Sequence, residues 1–93
     1  MKTVEWNYEK NEILKKTRGV SFEDILVAIS ENKILDILKH HNQKKYPNQK
    51  ILIIEINNYA FLVPFVEDGQ KIFLKTIIPN KKATKNYILK NKK

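Results

Sequence analysis

The chain contains no cysteine, only two glycines and a single arginine, and no acidic residue follows Asp68. Without cysteine, no disulfide, thiolate nucleophile or zinc–thiolate site can form. Gly19 and Gly69 lie too far apart to build a glycine-rich phosphate cradle. The N-terminus, Met1 to Tyr8, lacks the apolar core of a signal peptide. The most apolar stretch, Ile51 to Val66, is interrupted by Glu55, Asn57, Asn58 and Pro64, so it is not a membrane span. These absences predict a soluble, cytoplasmic chain with no membrane partner.

What remains is apolar enough to fold and basic enough to need explaining. The 93 residues fit one domain, residues 1–93, and 42% of them are hydrophobic. Thirteen are isoleucine, whose branched side chain suits a pleated, half-buried surface. The formal charge is +8 and unevenly placed. Residues 1–46 hold nine basic and seven acidic side chains, whereas residues 47–93 hold nine and three. Such asymmetry points to a polyanionic partner, either nucleic acid or an acidic protein. The plainer reading is a solubilising surface with a lysine-rich tail, residues 90–93.

Along the chain, Thr3 to Trp6 reads as a strand. Asn7 caps a helix from Tyr8 to Thr17, which Gly19 ends. Ser21, with Asp24 three residues on, has the form of a capping box. Phe22, Ile25, Leu26 and Ile29 then fall on one helical face, and this helix ends near Asn32. Ile34 to Leu38 reads as a short strand and His40 to Gln49 as an exposed loop. Lys50 to Ile56 is a strand covered on both faces, and Asn57-Asn58 is a tight turn. Tyr59 to Val66 returns, with Pro64 implying an edge or a bulge.

Asp68-Gly69 marks a second hairpin, followed by a strand from Lys71 to Ile78. In it Ile72, Leu74, Thr76 and Ile78 share one face, and Phe73, Lys75 and Ile77 the other. Asn80 caps a final helix, Lys81 to about Leu89, with Ala83 and Tyr87 inward. The expected fold is α+β, an antiparallel sheet packed with helices in the order β-α-α-β-β-β-β-α.

Two clusters stand out chemically. His40, His41, Lys44, Lys45 and Tyr46 crowd one loop; Lys75, Lys81, Lys82, Lys85 and Tyr87 crowd the end of the last strand and the last helix. Two adjacent histidines without a third ligand at metal spacing do not make a zinc site, and no metal or other cofactor is expected. Ser21 is explained as a cap rather than a nucleophile. If the clusters share a face, they form a basic groove containing imidazole and phenol groups. Metal-free RNA cleavage needs such groups: a base for the 2′-hydroxyl, cations for the phosphorane charge and an acid for the 5′-oxygen. Histidine titrates near neutral pH, and lysine can serve where neighbouring cations depress its pKa. Taken one at a time, each lysine reads equally as a solvated surface residue.

Two stretches resemble the BrnT family of toxins from bacterial toxin–antitoxin pairs. One is Glu5 to Asp24, E-W-N-Y-E-K-N running into K-K-T-R-G-V-S-F-E-D. The other is Thr76 to Tyr87, T-I-I-P-N-K-K-A-T-K-N-Y. The resemblance implies a RelE-like fold and a ribonuclease that arrests translation. It implies as partner a cognate antitoxin, a DNA-binding protein with an acidic segment, whose complex alone would meet DNA. Lys81 stands where the family has arginine at the strand-to-helix junction, Tyr87 matches the helix tyrosine, and Arg18 falls where histidine is common. Asn7 replaces a common aspartate and Pro79-Asn80 replaces Ser-Ala. Lysine cannot grip a phosphate bidentately, which weakens the transfer of catalysis.

The expected catalytic set is therefore His40, Lys81 and Tyr87. Arg18, His41, Lys44, Lys45, Lys75, Lys82 and Lys85 would hold the RNA backbone. The rival expectation is a non-catalytic module that binds nucleic acid or an antitoxin.

Overall fold

The structure, a computed structural model, describes residues 2–39 and 41–90. Strand β1 (Thr3–Trp6) leads into helices α1 (Tyr8–Arg18) and α2 (Phe22–Ser30), followed by strands β2 (Ile34–Lys39), β3 (Gln49–Ile56) and β4 (Tyr59–Glu67). Strands β5 (Lys71–Leu74) and β6 (Ile78–Pro79) come next. A closing helix, α3 (Lys81–Ala83), continues as a π-helical segment, Thr84–Leu89. The class is α+β, as expected.

The local signals act as their chemistry dictates. The Asn7 side chain accepts the Lys10 N–H, and Gly19 ends α1 at φ 68°, a conformation glycine adopts without strain. Ser21 and Asp24 form a full capping box. Asn57 and Asn58, at φ 52° and 64°, supply the two positive φ angles of a tight hairpin. The Asp68 carboxylate accepts both the Gln70 and Lys71 N–H groups at 2.8 Å, closing the second turn.

The helices α1 and α2 cover one face of the sheet, called here the first face. Phe22, Ile25 and Leu14 are fully buried there against Leu52, Ile54 and Val63. Trp6 stacks on Phe22 with ring centroids 5.6 Å apart. One polar group sits inside this packing. Asn11, only 2% exposed, accepts the Phe22 N–H at 2.7 Å and donates to Glu23 at 2.7 Å. It thereby satisfies an otherwise orphaned donor at the start of α2 and ties the two helices together.

Three expectations need correction. The sheet is mixed rather than antiparallel, in the order β1-β5-β4-β3-β2, with β1 parallel to β5. Helices α1 and α2 cross the first face between β1 and β2, so β1 joins the far edge. Secondly, Pro64 lies in β4, a central strand, and marks neither an edge nor a bulge there. Its carbonyl accepts the Lys75 N–H at 2.8 Å. In an extended residue N and C=O point to the same side, so the missing donor faces the β5 side of β4.

The strand expected to run unbroken from Lys71 to Ile78 accordingly stops at Leu74, and β6 resumes the pairing with β4 at Leu62–Ile78. This adds one strand to the expected order. The break also reverses the expected alternation, because Ile77 is buried in the first-face core with Leu74. The third correction concerns the closing helix, which widens after Ala83. Lys90 N–H bonds the Lys85 carbonyl, an i→i+5 spacing, and the buried positions are Ala83, Thr84 and Ile88.

Replacing Asn11 with alanine leaves a buried N–H without its partner. It should cost about 1–3 kcal/mol, read as a lower urea midpoint with unchanged slope. Ser21→Ala, which removes the capping hydroxyl, should cost about 1 kcal/mol in the same assay.

Candidate nucleic-acid interface

The closing helix is fixed to the second face of the sheet by three contacts. Asn80 caps it through Ala83 N–H at 2.7 Å, while its own N–H bonds the Ala60 carbonyl at 3.0 Å. The Thr84 hydroxyl accepts the Ala60 N–H at 2.9 Å. Ile88 and Ala83 then pack on Ile53 and Ala60. On the outer side, Lys81, Lys82, Lys85 and Lys90 line one shallow concavity with Leu89. Lys81, Lys82 and Lys85 are all exposed. The three helix lysines expected to contact RNA thus form one cationic strip.

Tyr87 lies on the other side of that helix. Its hydroxyl donates to the Asp36 carboxylate on β2 at 2.7 Å. This bond, with burial and the carboxylate charge adding to it, raises the tyrosine pKa above its ordinary value. The other Asp36 oxygen accepts the Ile37 N–H at 2.8 Å. In this arrangement Tyr87 latches the helix to the sheet and is not grouped with Lys81.

The remaining expected residues are dispersed. The Arg18 guanidinium donates to the Ile77 carbonyl in the break between β5 and β6. Lys75 is exposed beside the same break. His41, Lys44 and Lys45 are exposed on the β2–β3 loop, and Lys45 Nζ lies 5.5 Å from the centre of the Tyr46 ring. The Asn42 carboxamide accepts the Lys45 N–H at 3.1 Å and stiffens the turn. His40 falls outside the described residues.

Register gives the separation of the two clusters. The loop re-enters the sheet at Gln49, opposite Val66, whereas Lys81 follows the Asn80–Ala60 contact at the other end of β4. Ala60 and Val66 are six residues apart along the strand, about 20 Å. Lys81 and the loop cations therefore cannot touch one phosphate together; they can contact one extended strand at separate points.

Between the two clusters lies a surface that sequence reasoning missed. Residues opposed in register share a face, so the second face carries Leu38, Ile51 and Pro64 in one row. Gln49, Val66, Phe73 and Glu5 form the next. The closing helix packs on Ala60, Ile53 and Leu62, and neither row belongs to that buried cluster. Leu38 is 41% exposed and Phe73 36%. Alternation in β5 was visible in the sequence, but which face the last helix would cover was not.

Among the described residues, no group of three or more histidine, aspartate or glutamate side chains could hold a metal ion. No described helix is long and apolar enough to cross a membrane. No protein-family model, curated protein or solved structure matches the chain.

The Tyr87–Asp36 bond has a pH signature. A raised folded pKa means its contribution is fully present below the pKa of an unfolded tyrosine and is lost as pH rises through the folded value. The stability difference between wild type and Tyr87→Phe, read from urea midpoints, should therefore shrink from neutral to strongly alkaline pH. In an ultraviolet titration, Asp36→Asn should bring the Tyr87 pKa down.

Proposed function

We propose that this chain acts on RNA as the toxin of a toxin–antitoxin pair, a metal-independent, cytoplasmic endoribonuclease with a RelE-like fold. The observation that carries the RNA reading is the strip of Lys81, Lys82, Lys85 and Lys90 along the closing helix. Cations ranged along one helix side suit a phosphate backbone, and no acid follows Asp68 to oppose them. The resemblance of Glu5–Asp24 and Thr76–Tyr87 to BrnT toxins supplies the toxin context. An antitoxin with an acidic segment would neutralise the basic surface, and DNA would be met only through that complex.

A second reading, a non-catalytic RNA-binding module, is favoured by a specific observation. The Tyr87 hydroxyl is committed to Asp36, on the helix side away from Lys81. General acid–base catalysis needs its groups within hydrogen-bond reach of the reacting atoms. That one observation favours the module, since it leaves the acid–base work of a nuclease to groups other than Tyr87. Incubating antitoxin-free, folded protein with RNA in EDTA separates the two: new RNA ends support the nuclease, and retention without cleavage supports the module.

Either way, RNA affinity should fall with salt by about 0.7 in log–log slope per phosphate contact for a single strand. The Lys82→Ala, Lys85→Ala double variant should lower that slope. For the toxin, induced expression should arrest growth, and Lys81→Ala should relieve the arrest without lowering the unfolding midpoint. A fully toxic Lys81→Ala protein would remove Lys81 from the site.

A further inference from the structure

Two rows of the second face lie beyond the residues on which the closing helix packs, exposed at Leu38 and Phe73 and half-buried at Ile51, Pro64 and Val66. Leu38, Ile51, Pro64, Val66 and Phe73 make an apolar floor spanning β2 to β5, about 14 Å between the outer strands. Cations surround it. Exposed Lys44 and Lys45 stand on the loop that joins β2 to β3, and exposed Lys71 and Lys75 flank β5. The lysine strip runs along the helix that bounds the floor on its remaining side. The only carboxylate in the two rows is Glu5, opposite Phe73 on the outermost strand.

An apolar floor inside a ring of cations matches one kind of ligand chemistry, flat apolar faces carried on a polyanionic backbone. We infer that this face is a base-stacking floor for single-stranded RNA, with Phe73 as its aromatic platform. The inference rests on the RNA reading above and specifies the form of RNA and where its bases lie. Phe73 is 36% exposed on the second face, next to Val66 in register, which offers an aromatic surface to a base. A sheet face of four strands has room for about two or three unstacked bases. Glu5 repels phosphate from the β1 edge, which steers the backbone toward the lysines of the loop and the helix. Paired bases hide their faces in the stack, so a duplex gains nothing from the floor.

The test measures anisotropy with a short 2′-O-methylated RNA of mixed sequence, which cannot be cleaved through its 2′-oxygen. The same strand annealed to its complement is the control. Wild type should prefer the single strand, and Phe73→Ala should weaken that binding about tenfold while leaving the duplex unchanged. Phe73→Leu keeps the apolar bulk and loses the ring, so it should fall with the alanine variant, while Phe73→Trp should restore affinity. Circular dichroism melts confirm that each variant folds.

Wild-type affinity in Phe73→Leu, or equal binding of single strand and duplex, overturns the inference. If the Lys81→Ala, Lys82→Ala, Lys85→Ala variant loses affinity while every Phe73 variant keeps it, the RNA reading survives and the stacking floor does not. If wild type binds neither RNA, both fall.

Discussion

The architecture hinges on an N–H that Pro64 does not have. A proline in a central strand removes one rung from the ladder, and the neighbouring strand cannot pass it in register. Strand β5 therefore ends at Leu74, opposite Phe65, the chain steps inward to bury Ile77, and β6 rejoins β4 three rows on, at Leu62. The step leaves the Ile77 carbonyl outside any ladder, and the Arg18 guanidinium donates to it from the end of α1. The same step delivers Asn80 to Ala60, where the closing helix begins. The position of the lysine strip thus follows from a residue that carries no charge and makes no side-chain hydrogen bond.

Charge has a different logic on each face. On the first face Glu67 accepts from Lys2 and Lys50, at 2.5 Å and 3.0 Å, and these two bonds hold its carboxyl below the usual range. That cluster ties the residue before β1 to β3 and β4. Around the second face, no such ion pairing involves Lys71, Lys75, Lys81, Lys82 or Lys85 among the described residues. Cations left without internal partners keep their charge available to a ligand, whereas paired ones serve mainly the fold.

Much of the framework was legible because its signals are local. Asn7, Gly19, the Ser21–Asp24 box and Asn57-Asn58 each act within a few residues, and each appears where the pattern put it. The misreadings concern relations between distant segments. That β1 lies parallel to β5 depends on where two helices carry the chain, which no short window records. Pro64 was seen as a constraint, but its effect fell on the opposite strand rather than its own. For the site, the helix lysines could be grouped from their spacing alone. The engagement of Tyr87 with Asp36, 51 positions away, could not, nor could the partly exposed rows beside Phe73.

Asp36 has a consequence beyond holding the helix. Its two oxygens serve two ends: one takes the Tyr87 proton donor, the other occupies the Ile37 N–H on the outermost strand. That strand is irregular between Ile34 and Asp36, ends in Lys39 and exposes Ile34, Ile37 and Leu38. An unguarded margin so rich in isoleucine would invite another chain to zip onto it. A single carboxylate therefore anchors the last helix and helps keep the sheet from growing sideways, so a change at Asp36 itself removes both.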